Sequence, residues 1–177
     1  MENHGVKFDD RFKMTRERME AMKAFWTEDE AEYHGDLVNI TRSWMWPKPV
    51  QTPYPPILIA GAGPNILKRV MNQGDGWMPF VVSDWVDAMQ NRMTPLTDFA
   101  AQVEELRQLE SDAGSAKKTI SVKGLMARAQ DIEALLSMGI DRMILPLPQA
   151  GKNEVFATLA AHADAIAPYV EKAGPNE

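Results

Sequence analysis

From Ile57 onward the chain alternates short apolar runs with longer amphipathic stretches, and this alternation limits the folds open to it. The runs are Ile57 to Ala60, Gly76 to Phe80, Thr119 to Val122, and Arg142 to Leu147 with Met143-Ile144-Leu145 at its centre. The stretches between them carry apolar residues at helical spacing. Asn65 to Asn72 places Ile66, Leu67, Val70 and Met71 on one face. A helical stretch in two parts comes next, broken near Pro95, the second part bearing Phe99, Val103, Leu106 and Leu109. Asp131 to Met138 turns Ile132, Leu135 and Leu136 inward and ends at Gly139. A last helix, about Asn153 to Val170, buries Val155, Leu159, Ile166 and Val170. Strands alternating with helices imply an α/β fold with parallel pairing and right-handed crossovers. The strands are apolar without clean alternation, as expected where both faces are covered.

Four such units pose a physical difficulty. An open parallel sheet carries helices on both faces. A closed barrel keeps every helix outside and fills its interior from its own strands. Half a barrel leaves an apolar face and two strand edges unpaired. The pattern therefore predicts either a small open α/β domain or a (βα)4 part of a barrel.

Ahead of this region, Asp9 to Trp26 reads as a helix with Phe12, Met19, Met22 and Trp26 on its apolar face and Asp9 or Asp10 as its cap. Thr27-Glu28-Asp29-Glu30 reads as the start of a second short helical turn, closed by Gly35, and Leu37 to Ile40 as a brief strand. Thr41 to Pro56 holds prolines at 47, 49, 53, 55 and 56, a density that forbids helix and central strand alike.

Composition narrows the function classes. At 177 residues the chain is long enough for one domain, and 1–177 is read as a single domain. A net charge of -6 argues against nucleic acid as a partner. The absence of cysteine excludes disulfide and thiol chemistry. No apolar run spans a bilayer, so no membrane partner is expected. The polar start, Met1-Glu2-Asn3-His4-Gly5, is no signal peptide, which makes a cytoplasmic location the expectation.

One turn suggests chemistry. Ile57-Leu58-Ile59 runs into Ala60-Gly61-Ala62-Gly63-Pro64 and then a helix. Glycines at such a turn let the backbone approach a ligand. Pro64 suits the first helical position, and the helix behind it aims N–H groups at the turn. The alternative is a tight βα loop selected for packing.

Several segments taken together resemble a known family. They are Asn3-His4-Gly5-Val6, Arg11-Phe12-Lys13, Arg16 to Lys23, and Trp26-Thr27-Glu28-Asp29-Glu30-Ala31-Glu32-Tyr33-His34-Gly35. Trp46-Pro47-Lys48-Pro49-Val50-Gln51, Pro56 to Pro64 and Gly74-Asp75-Gly76-Trp77-Met78-Pro79 come after them in order. The chain resembles the C-terminal part of the luciferase-like (bacterial-luciferase-type) flavin and deazaflavin oxidoreductases. The resemblance is dense to Pro79 and looser beyond it.

The resemblance implies a TIM barrel with an insertion to which Thr41–Pro56 belongs. It further implies that the N-terminal half, roughly a hundred residues of a fold that needs at least ~200, is absent. It implies FMN or coenzyme F420 as cofactor, with the phosphate held by the turn Ala60, Gly61, Ala62 and Gly63. It implies an oxidoreductase or monooxygenase acting on a small-molecule substrate. The alternative is a non-catalytic cofactor-binding half-barrel. The catalytic residues of the resembled family precede Met1, so none is assigned. The expected partner is a second copy in a homodimer, or the missing N-terminal half.

Other residues carry weaker signals. Trp77 or Met78 is either near a barrel mouth or part of a core, with Asp75 serving turn amides. His4, His34 and His162 are scattered without metal-ligand spacing, and His162 reads as structural. His4 sits in a loop on the active-site side of the resembled family. Asp29, Glu30 and Glu32 read as a solvated face, and Arg16, Arg18 and Lys23 as partners of Glu17 and Glu20. Trp44 and Trp46 either line an entrance or staple their loop. Ser43 lacks a nucleophile's surroundings, and the 12 methionines read as packing.

Overall fold

The computed structural model describes residues 3, 5–83 and 93–170. His4 and the first part of the helical stretch before Pro95 lie outside the described residues. The chain divides into two compact units, Met1–Pro56 and Ile57–Glu177.

The first unit begins with α1, Arg11–Thr27. Asp10 occupies its N-cap position but its side chain makes no capping bond. The face expected to be buried is only partly so, with Met19 and Trp26 half-buried. Phe12 and Met22 are exposed, whereas Glu17 and Ala21 are buried. The reason lies in the segment after the helix. The residues read as a second helical turn form instead β1, Ala31–His34, paired antiparallel with β2, Asn39–Ser43. The turn of this hairpin seats on Glu17, whose Oε2 accepts from the amides of Leu37 at 2.8 Å and Val38 at 2.9 Å. A carboxylate with two amide donors can be buried without an unmet charge. Arg16 pairs with Glu20 at 3.7 Å across one helical turn. Past Ser43 the proline-rich loop is irregular, as its composition requires. From it Lys48 donates to the carbonyls of Phe25 (2.7 Å) and Glu28, meeting carbonyls left open at the end of α1. Tyr54 stacks on Trp26 at 6.0 Å. Trp44 and Trp46 are exposed, and the Lys48 ammonium lies over the Trp46 ring at 5.2 Å.

The second unit holds a four-stranded sheet of β3 (Leu58–Ala60), β4 (Gly76–Met78), β7 (Thr119–Lys123) and β8 (Arg142–Ile144). They lie in the order β3-β4-β7-β8 with every pair parallel, as the alternation predicts. Between them run α2 (Ile66–Gln73), α3 (Leu96–Ala113) and α4 (Ala129–Ser137), and α5 (Lys152–Val170) comes after β8. A further parallel pair, β5 (Val81–Val82) with β6 (Thr94–Pro95), was not foreseen. Two-residue strands carry no periodicity to read.

The two faces of the sheet differ. Ile59, Trp77, Ile120 and Val122 share one face and are buried, with Trp77 stacked on Phe99 of α3 at 5.5 Å. Successive residues point to the other face. There Ala60, Lys123 and Arg142, near the strand ends, are exposed, Leu58, Met78 and Ile144 are half-buried, and Gly76 and Ser121 are buried.

Helix burial agrees with the prediction for α2 and α3, where Ile66, Leu67, Val70, Phe99, Val103 and Leu106 are buried. It departs at the C-terminal end. Leu136 of α4 is exposed, as are Leu159, Ile166 and Val170 of α5, at 50%, 36% and 62%. The periodicity marks an apolar face, but the described residues of this unit do not cover it. His162 is buried, and its Nε2 meets the Pro146 carbonyl at 2.9 Å. No helix among the described residues is long and apolar enough to cross a membrane.

Candidate cofactor-phosphate site

The glycine turn emerges at the C-terminal end of β3. Ala60 is the last strand residue, and Gly61 and Gly63 lie beyond it with φ of 119° and 102°, in the region that L side chains rarely adopt. At Gly63 the requirement is conformational. Among the described residues, no heavy atom lies within 4 Å of where its Cβ would stand. A Cβ on Gly61 would meet Ile66 Cδ1 at 3.8 Å and Arg69 Nη2 at 4.0 Å, so the space tolerates it while the φ does not.

Pro64 is not the first residue of α2. Gly63-Pro64-Asn65-Ile66 forms a turn closed by the Ile66 amide donating to the Gly63 carbonyl at 3.1 Å. The helix begins at Ile66, with Asn65 at its N-cap position and no side-chain cap. The Gly63 carbonyl thus holds the turn against the helix. Among the described residues, no carbonyl or side chain accepts from the amides of Ala62 or Gly63. These two N–H groups, beside the N-terminus of α2, form an arrangement suited to an anion.

Two neighbours were not read from the sequence as parts of this turn. Trp77 is completely buried, and its Nε1 donates to the Gly61 carbonyl at 3.2 Å. The spacing of 16 residues reveals nothing of this bond, which arises from the pairing of β3 with β4. Arg69 lies one helical turn into α2, with its guanidinium beside Gly61. Its helical position was the only available signal. Asp75 serves neither its own turn nor the ligand side. Its Oδ2 accepts from the Ile57 amide at 2.8 Å, at the opposite end of the strand. Asp75 thereby fixes where β3 starts relative to β4.

Of the residues with weaker signals, Trp77 reaches the turn, His162 packs on Pro146, and Ser43, His34, Trp44 and Trp46 belong to the first unit. Among the described residues, no cluster of three His, Asp or Glu side chains could hold a metal ion.

Comparison with known proteins identifies the lineage of this arrangement. The model of the luciferase-like monooxygenase family matches residues 1–174. The chain belongs to that family. It is 46% identical over 77 residues to an uncharacterized protein of Mycobacterium tuberculosis, covering 43% of this chain and 27% of that one. It is 29% identical over 129 residues to the FMNH2-dependent dimethylsulfone monooxygenase of Pseudomonas putida, covering 73% of this chain and 32% of the enzyme. It is 29% identical over 72 residues to the F420-dependent glucose-6-phosphate dehydrogenase of Amycolatopsis mediterranei, covering 41% and 21%. The crystal structure of the monooxygenase RslO1 from Streptomyces bottropensis superimposes with a TM-score of 0.54 at 22% identity, over 92% of this chain and 46% of that one. That likeness concerns the fold alone. The chain spans less than half the length of each of these relatives.

Proposed function

We propose that this member of the luciferase-like family binds the phosphate of FMN or coenzyme F420 at Ala60-Gly61-Ala62-Gly63 and serves an oxidoreductase or monooxygenase acting on a small organic substrate. The observation that carries the reading is the pair of uncommitted amides at Ala62 and Gly63, on a turn whose positive φ values only glycine adopts readily. The Arg69 guanidinium beside Gly61 adds a positive charge suited to a phosphate. Relatives that use FMNH2 and F420 support this cofactor class.

When bound, the cofactor supplies the redox chemistry, as a carrier of electrons or hydride. This chain supplies the anchor. Amide donors at Ala62 and Gly63 would hold the phosphate end, with β3 and α2 fixing the turn that carries them. No described side chain is assigned a catalytic role.

The four strands are, in this reading, one arc of an eight-stranded barrel. The exposure of Ala60, Lys123 and Arg142 on the face away from the helices supports it. A doubly wound sheet would cover Ala60, Lys123 and Arg142 with helices, whereas a barrel arc leaves that face for the remaining strands. Those strands come from a second copy or from a segment outside this sequence.

Gly63→Asp tests the anchor. It places an anion and a strained backbone at the phosphate position and should weaken FMN or F420 binding at least tenfold in a fluorescence titration. Equal affinity of variant and parent would remove the turn from the site.

A further inference from the structure

Trp77 is buried too deeply to touch a ligand, yet it bonds to the turn assigned to the phosphate. Its ring is held on the helix-covered face of the sheet by Phe99, itself fully buried, at a tilt of 49°. From that fixed position Nε1 donates to the Gly61 carbonyl at 3.2 Å. A peptide group is planar and trans, so its carbonyl and N–H point in opposite directions. Holding the Gly61 oxygen toward the core therefore turns the Ala62 N–H outward. Gly61, at φ 119°, has the backbone freedom to let this peptide rotate, and a Cβ there would meet only the tip of Ile66 and the Arg69 guanidinium. Glycine makes the turn possible and also leaves it loose. The indole N–H closes on it from the core side.

We infer that Trp77 is a positioning residue for anion binding: its indole N–H locks the Gly61–Ala62 peptide so that the Ala62 amide faces the phosphate. This inference rests on the phosphate reading of the turn. It also accounts for the acceptor of a buried indole, since a Trp N–H in a core needs a partner. Phenylalanine would fill most of the same space without a donor. Freed of it, the peptide would sample orientations in which the Ala62 N–H no longer meets the anion.

The test compares the full chain with two variants, Trp77→Phe and Val103→Ala. The second opens a cavity beneath the same helix and leaves the indole donor and its ring partner in place. Affinity for FMN and for inorganic phosphate is read from the shifts of the Ala62 and Gly63 amide signals in a nitrogen-15 NMR titration, and stability from thermal melting. Loss of one net hydrogen bond predicts an affinity about fivefold weaker in Trp77→Phe. Val103→Ala should lower the melting temperature and leave affinity within about a factor of two of the parent. Trp77→Phe binding as tightly as the parent would overturn the inference while the phosphate site stands. Equal weakening in both variants would also overturn it, by reducing Trp77 to packing. If neither probe moves the Ala62 and Gly63 signals in the parent, the phosphate reading falls and the inference falls with it.

Discussion

Glu17 and Gly35 show how single residues decide the first unit. A Cβ on Gly35 would stand 2.5 Å from Glu17 Oε2 and 2.8 Å from the Tyr33 ring. Glycine is required here by close approach, because the carboxylate must reach the turn amides. Gly35→Ala should cost about 1–3 kcal/mol, as overpacking does, and chemical denaturation would measure it. The Glu17 carboxyl is held below the usual range. Burial works against its charge, but the amides of Leu37, Val38 and Asp36 together with the Lys13 ammonium prevail. A carboxyl whose pKa is lower folded than unfolded stabilises the fold above its unfolded value, about 4.3, and loses that contribution as pH falls through the folded value. Melting temperature should therefore drop below about pH 4 in the parent. Glu17→Gln should melt lower at neutral pH and show a flatter acid limb; an unchanged acid limb would remove Glu17 from this role. The sequence marked Glu17 only as a partner for neighbouring cations. Nothing local announces that a charged residue faces inward, because its partners lie 20 and 21 positions away.

Among elements, α3 and α5 read alike in sequence and differ in the structure. Both carry apolar residues at helical spacing. Leu106 on α3 is fully buried, and Leu159 on α5 is half exposed. Leu106→Ala should cost about 2–5 kcal/mol through the cavity it leaves. Leu159→Lys should change stability by less than about 0.5 kcal/mol, the range of exposed positions. Urea denaturation of both variants distinguishes them, and comparable losses would mean that α5 is covered after all. The end of α4 was legible in Gly139, which takes a left-handed φ of 65° while the Ile140 amide reaches back to Leu135; Gly114, at φ 59°, closes α3 in the same way and was not read from the sequence. The start of α2 was less legible. Pro64 fits a first helical turn by its fixed φ, yet Gly63 to Ile66 first close a separate turn.

The molecule as a whole has surface left over. β3 and β8 each pair on one side among the described residues, one face of the sheet exposes Ala60, Lys123 and Arg142, and α5 exposes Phe156, Leu159, Ile166 and Val170. Unpaired edges and apolar faces favour association. The chain alone should sediment as a dimer or larger species at micromolar concentration. A sharply melting monomer under those conditions would contradict the barrel-arc reading. What the sequence determined by itself is what local chemistry carries: the four parallel strands, the helices between them, the proline-rich loop, the glycine turn and the family. Short-range periodicity, fixed proline φ and glycine's tolerance of positive φ act within a few residues, so they are written in order along the chain. What only the tertiary structure decided is which faces are covered and what holds the turn. Glu17 under a hairpin, Leu159 in the open and Trp77 bonded to Gly61 all depend on neighbours many residues away, brought together by strand pairing and packing rather than by any adjacent residue.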